Sequence, residues 1–99
     1  MNEYEEVTEI LRGVVDPELG IDIVALGLIY ELEISPGEVY LGMATTSPMC
    51  PMGDVLRSSA EGALRRRFRT RAVNVEIVDE PRWQVGMMDE WARHAVGLA

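Results

Sequence analysis

The single cysteine of this 99-residue chain stands between two prolines, in the segment TTSPMCPMGD of residues 45–54. Pro48 and Pro51 stiffen the chain around Cys50, and Pro51 suits the first turn of a following helix, where its missing N–H costs nothing. Cys50 would then lie at or next to the helix N-cap, whose free amides and dipole favour a thiolate. Asp54, one turn into the same helix, opposes this effect. A thiolate is both a nucleophile and a ligand for soft metals.

Residue spacing tests several chemistries for this cysteine. Six residues separate Cys50 from Arg57, which does not fit the loop of a cysteine-dependent phosphatase. A cysteine hydrolase needs a histidine base, and the only histidine, His94, stands in the C-terminal segment, where a solvent-exposed or helix-capping role is favoured. The C-x-x-C pair of thioredoxin-like proteins is absent. The interpretations still open include a metal or cluster ligand and a small residue that fills a gap at a strand–helix junction.

A metal or cluster bound by Cys50 would be short of ligands. One cysteine and one distant histidine cannot fill a closed zinc or iron–sulfur site. A second chain, a small thiol or a carboxylate such as Asp16 or Glu18 would have to complete the ligand set. Such an open site suits passing a metal onward better than storing it.

Composition limits the classes of protein to which the chain belongs. Its 99 residues, 47% of them hydrophobic, predict one folded domain over residues 1–99. A net charge of -8 argues against a nucleic-acid partner, which requires a basic surface. The longest apolar run, residues 23–30, is well short of the ~20 residues of a membrane span. The acidic N-terminus is unlike a signal peptide, so the sequence predicts a cytoplasmic protein.

Hydrophobic periodicity predicts the elements that must position the cysteine. Helical spacing from Val7 to Val14 predicts a first helix, with Asn2 as its N-cap and Asp16-Pro17 as its end. A turn-rich connector over residues 16–27 follows. Alternation over residues 28–34 and 39–45, around a Ser-Pro-Gly turn, predicts an antiparallel hairpin. Helical spacing then returns over residues 55–68, alternation over residues 73–77 and a short helical pattern over residues 88–95.

This order, α-β-β-α-β-α, predicts a two-layer α+β domain with helices packed on a small three-stranded mixed sheet. The second helix would be a right-handed crossover if it connects parallel strands. Three strands leave edges that need covering. Apolar residues near the C-terminus or a second copy of the chain would cover them, so a homodimer is one expectation.

Three stretches together resemble the small iron–sulfur cluster assembly domain of the SufT and PaaD type. They are VVDPELGIDIVALGLIYELEI, then TTSPMCPMGD, then EIVDEPRWQVGMMDEWAR, and they extend over most of the chain. None of these motifs is specific alone, and their combination carries the resemblance. Arg82 is a departure, because a second proline often precedes the position of Trp83.

The resemblance implies the same α+β fold and a role in maturing iron–sulfur proteins without enzymatic turnover. Asp16 and Glu18 match the acidic motif of the family, and Cys50 matches its reactive cysteine. The residues around that cysteine would form the supporting loop: Thr46, Ser47, Pro48 and Pro51. The implied cargo is a transient iron–sulfur cluster or iron, and the implied partners are scaffold or carrier proteins and apo client proteins.

Other interpretations stay open from the sequence. Asp16-Pro17-Glu18 also fits a plain N-cap, a proline at the first helical position and an acidic first turn. The tail residues Trp83, Met87, Met88 and Trp91 fit a core better than a partner-binding face. For the whole protein, the alternatives are a PaaD-type accessory factor for a phenylacetate-degrading oxygenase, a thiol-dependent enzyme using Cys50, and an interaction module in which the cysteine is inert.

Overall fold

A three-stranded mixed sheet with helices packed against it forms the centre of the molecule. The computed structural model describes residues 1–46 and 52–97. The predicted α+β architecture is confirmed. Its elements in chain order are α1 (Glu3–Leu11), β1 (Val15–Asp16), β2 (Ile21–Asp22), β3 (Ile29–Ile34), β4 (Glu38–Met43), α2 (Gly53–Arg67), β5 (Ala72–Ile77), a short 3-10 helix (Val85–Met87) and α3 (Glu90–Ala95).

The sheet has the order β3-β4-β5. β3 and β4 form the predicted antiparallel hairpin, which is closed by two hydrogen bonds between Ser35 and Glu38 of 2.9 and 3.3 Å. β5 is parallel to β4, so α2 is the predicted crossover helix. The start of β3 and the ends of β4 and β5 therefore lie side by side. We call this edge the loop end of the sheet.

Alternating side chains of β4 and β5 form the centre of the core. Leu41 of β4 is fully buried, and it is paired in register with Leu32 on one side and Val75 on the other. This explains the alternation in the sequence, since successive residues of a strand point to opposite faces. The helices contribute buried residues at helical spacing: Val7 and Leu11 from α1, and Leu56, Ala60 and Leu64 from α2.

Two element boundaries differ from the prediction. α1 ends at Leu11, before Asp16-Pro17, because the chain turns at Arg12 and enters a small hairpin of β1 and β2. The predicted connector therefore contains two short strands. α2 begins at Gly53 with Met52 as its N-cap, two residues later than a start at Pro51. Asn2, by contrast, is the N-cap of α1 as predicted, and its side chain accepts a hydrogen bond of 2.8 Å from the Glu5 amide.

Ion pairs connect the start of α1 to the end of α2 and the turn that follows it. Both carboxylate oxygens of Glu3 accept hydrogen bonds from Arg71, at 3.2 and 2.9 Å. Glu6 accepts two from Arg67, and this pairing lowers the pKa of Glu6 and raises that of Arg67. The two guanidinium groups lie 4.7 and 5.1 Å from the centre of the Phe68 ring.

Within the described ranges, no helix has the length and apolar character of a bilayer span.

Candidate functional site

The cysteine segment leaves β4 and enters α2 at the loop end of the sheet. Its two flanks are close together, because a Cβ on Gly53 would lie only 2.8 Å from Cγ2 of Thr45. Thr46 is half-buried. The other predicted residues of this loop lie outside the described residues: Ser47, Pro48, Cys50 and Pro51. The two flanks of the cysteine segment are therefore held next to each other, between the end of β4 and the start of α2.

The acidic motif forms a capped turn. Oδ1 of Asp16 accepts hydrogen bonds from the backbone amides of Glu18, at 2.8 Å, and Leu19, at 3.2 Å. Asp16 is buried, with 3% of its surface exposed, whereas Glu18 is exposed. The sequence also offered Asp16 as the N-cap of a helix, whereas its side chain caps a turn that closes at Gly20. At least one oxygen of this carboxylate has a structural partner.

Asp22 forms a second turn of the same kind, which the sequence analysis missed. Its Oδ2 accepts hydrogen bonds from the amides of Val24, at 3.1 Å, and Ala25, at 3.0 Å. Asp16 and Asp22 end the two strands of the small hairpin. The signal was present in the sequence, because each aspartate precedes a glycine by four or five residues. Both glycines, Gly20 and Gly27, adopt positive φ.

The C-terminal tail packs on the segment that leads into β3. The indole N–H of Trp83 donates to the Leu26 carbonyl at 2.6 Å, and the Asp89 amide donates to the Ala25 carbonyl at 2.8 Å. The next residue, Gly27, lies so close to the tail that a Cβ on it would be 2.2 Å from the Met87 carbonyl oxygen. The tail therefore covers part of the loop end.

The tail residues divide between core and surface. Met88 belongs to the core and Trp83 packs against it, as the sequence favoured. Met87 and Trp91 are 37% and 53% exposed. The Tyr30 hydroxyl donates to the Met87 sulfur at 3.3 Å, and burial raises the pKa of Tyr30. His94 is exposed on α3, as expected.

A small pocket of about 100 Å³ lies between the start of the cysteine segment and the tail. Its walls are Ala44, Thr45, Val78, Asp79, Glu80, Arg82 and Trp83. The walls include three charged side chains, those of Asp79, Glu80 and Arg82. In the part of the chain that the structure describes, no three His, Asp or Glu side chains are grouped so as to hold a metal ion.

Comparison with known proteins shows the family. A family model described as iron–sulfur cluster assembly protein matches residues 4–77, most of the chain. The chain belongs to this family. The matched region contains the sheet, nearly all of both long helices and the acidic turn. The resemblance inferred from the motifs is confirmed.

Individual relatives match nearly the whole chain. The chain is 35% identical to the Fe-S protein maturation auxiliary factor YitW of Bacillus subtilis, over 95% of this chain and 93% of that protein. It is 38% identical to the auxiliary factor SufT of Staphylococcus aureus, over 87% and 99%. A crystal structure of a DUF59 domain from Bacillus anthracis is similar at a TM-score of 0.86 and 31% identity, covering 96% of this chain and 92% of the other.

Proposed function

We propose that this protein is a maturation factor that helps to deliver iron–sulfur clusters to apo client proteins, and that Cys50 contacts the cluster during delivery. Family membership and relatives named as Fe-S protein maturation auxiliary factors support the first part. The second part is supported by the contact between Thr45 and Gly53, which fixes both flanks of the cysteine segment at the loop end of the sheet. This is the observation that carries the residue assignment.

The ligand chemistry favours transfer over storage. Cys50 offers one thiolate, and Oδ1 of Asp16 is already occupied by two backbone amides. Glu18 is exposed and is the carboxylate of the acidic motif that is open to solvent. The remaining ligands of a cluster would come from the scaffold or carrier that donates it, from the client, from a small thiol or from a second copy of the chain. We place this activity in the cytoplasm, without enzymatic turnover.

Anaerobic cluster transfer tests the proposal. A cluster-loaded scaffold protein is mixed with apo-aconitase, whose activity requires an iron–sulfur cluster, in the presence of wild-type protein, Cys50→Ser or Ser59→Ala. Ser59 is exposed on α2 and serves as the matched control. We expect wild type and Ser59→Ala to accelerate the recovery of aconitase activity and Cys50→Ser to lose most of this acceleration.

The opposite results separate the alternatives. If Cys50→Ser accelerates recovery as well as wild type, the cysteine has no part in delivery, and the inert-cysteine interpretation replaces the proposal. If the purified protein instead turns over thiol or disulfide substrates in a Cys50-dependent manner and does not accelerate transfer, the protein is a thiol enzyme. Absorbance and size of the protein after incubation with iron and sulfide show whether a cluster is bound and whether binding joins two chains.

A further inference from the structure

A second, larger depression opens at the loop end of the sheet, beside the small pocket. It is an open groove of about 930 Å³ between the start of β3 and the chain that follows β5. Its walls are Gly27, Ile29, Tyr30, Glu31, Ile77, Val78, Asp79, Glu80, Pro81 and Met87. Three of these residues, Val78, Asp79 and Glu80, also line the pocket that contains Thr45. The groove therefore adjoins the pocket that contains Thr45, at the start of the cysteine segment.

Much of the lining of this groove is apolar. Ile77 and Met87 leave 39% and 37% of their surface exposed, and Ile29 and Tyr30, which also line the groove, pack against the core. The hydrogen bond from Tyr30 to the Met87 sulfur holds the thioether in the wall. Single exposed apolar residues are ordinary, but several that share one concave surface mark a binding site.

The rim of the groove carries one sign of charge. Glu31, Asp79 and Glu80 are exposed and line the groove, and no Arg is among the described residues of its walls. Within the described residues, no ion pair joins these three carboxylates to a cation. The adjacent face of the sheet adds Glu76, which pairs with Gly42 from β5 as Glu31 does from β3. The Tyr40 hydroxyl lies over Gly42 and donates to Glu76 at 3.3 Å. The site is complementary to an apolar group with positive charges on either side.

The three carboxylates do not converge on one point as the ligands of a metal ion would. The described residues include no group of three acidic or histidine side chains that could hold a metal ion. A small cation would therefore find no coordination shell here. An extended chain with its charges spread along its length fits this arrangement.

We infer that the groove binds an extended segment of a partner protein in which apolar side chains are flanked by Lys or Arg. The apolar side chains would cover Ile77 and Met87, and the cations would lie against Glu31, Asp79 and Glu80. Binding would bring the partner next to the pocket at Thr45. This inference rests on the proposed function, for which it supplies the docking surface of the scaffold, carrier or client.

Peptide selection tests the inference without any cluster. A phage-displayed library of random peptides is selected on wild-type protein and counter-selected on the triple variant Glu31→Gln, Asp79→Asn, Glu80→Gln. Enriched peptides are synthesised with a fluorescent label, and their affinity is measured by anisotropy. The control triple variant Glu5→Gln, Glu9→Gln, Glu90→Gln changes the net charge equally at exposed positions that do not line the groove.

We expect the enriched peptides to contain apolar residues between Lys or Arg. Their affinity should fall about tenfold in the groove variant, since three exposed charge contacts are each worth a fraction of a kcal/mol. It should change less than about twofold in the control variant and weaken as salt is added. Ile77→Ser, which preserves the carboxylates, should weaken binding as well. Circular dichroism confirms that each variant is folded.

Three results would overturn the inference. One is the absence of basic, apolar peptides among those enriched. Another is equal binding of these peptides to wild type and to the groove variant. The third is self-association of wild type in gel filtration that the groove variant loses, which would make a second copy of the chain the occupant. Because Cys50 is unchanged in every arm, failure here leaves the cluster-transfer test intact, and failure of that test leaves this one intact.

Discussion

Gly20 and Gly27 both have positive φ, of 71° and 76°, but only Gly27 is pressed against another segment. A Cβ on Gly20 would meet no atom within 4 Å, whereas on Gly27 it would lie 2.2 Å from the oxygen and 2.7 Å from the carbon of the Met87 carbonyl. Comparing alanine substitutions at the two glycines therefore separates the free-energy cost of backbone strain from that of a steric clash. Gly20→Ala introduces backbone strain alone, and Gly27→Ala adds a collision between two stretches of backbone.

The magnitudes follow from these contacts. An alanine in the left-handed region costs roughly 1–2 kcal/mol, which is the whole expected effect of Gly20→Ala. In Gly27→Ala the tail must also move away, which breaks the hydrogen bonds that Ala25 and Leu26 accept from it, each worth about 1 kcal/mol. We expect a total of roughly 3–4 kcal/mol. One kcal/mol lowers the Tm of a domain of this size by about 4–8 °C.

Thermal unfolding followed by circular dichroism measures the difference in Tm between Gly20→Ala and Gly27→Ala. Fluorescence of Trp83, recorded in a Trp91→Phe background, reports whether the tail has left Leu26. We expect Gly27→Ala to lower Tm at least about twice as much as Gly20→Ala and to change the Trp83 emission in the folded protein. If the two variants have equal Tm values and the emission is unchanged, the tail is not packed against Gly27, and the reasoning is wrong.

Three further substitutions test other contacts. Glu6→Gln removes the partner of Arg67. The pairing lowers the pKa of Glu6. The stability that the pair contributes is therefore present above the ordinary pKa of a glutamate and is lost as pH falls through the lowered pKa. The stability gap between wild type and Glu6→Gln, measured in urea titrations, should therefore close as pH falls through the lowered pKa of Glu6. Trp83→Phe leaves the Leu26 carbonyl without its donor and should cost about 1–2 kcal/mol of unfolding free energy. Asp16→Ala removes the acceptor for two backbone amides and should cost about 1–2 kcal/mol, also measured in urea.

Each of these substitutions has a matched control nearby in the chain. Glu5→Gln, Trp91→Phe and Glu18→Ala change exposed side chains of the same type and should leave stability nearly unchanged. A stability gap for Glu6→Gln that persists unchanged in acid would contradict the ion-pair argument. Equal effects of Trp83→Phe and Trp91→Phe, or of Asp16→Ala and Glu18→Ala, would contradict the hydrogen-bond assignments.

Much of the fold could be predicted because its elements have a regular period. The alternation at Val39, Leu41 and Met43 marked the buried face of β4, and these three residues are fully buried. The Ser-Pro-Gly turn specified the hairpin between β3 and β4. The small hairpin of β1 and β2 was missed because each strand has only two residues, too few for a period to show.

The candidate site was less predictable. Asp16 was selected from the sequence as a site residue and that role stays a prediction, while its burial and its turn-capping geometry depend on the hairpin that the pattern did not reveal. Glu31, Ile77 and Met87 were not predicted as parts of one groove, since they belong to different elements far apart in the chain. The prediction that Cys50 is open to solvent beside acidic side chains lies outside the described residues.

The α+β class, the family and the shortage of cluster ligands follow from the amino-acid sequence, because period, motif order and side-chain chemistry are local properties. That the flanks of the cysteine segment, the tail and the acidic rim of the groove meet at one end of the sheet is apparent from the folded chain alone. The contacts that bring them together, such as Trp83 with Leu26 and Met87 with Gly27, join residues far apart in the chain. Such contacts depend on how whole surfaces fit one another, and no local pattern encodes that fit.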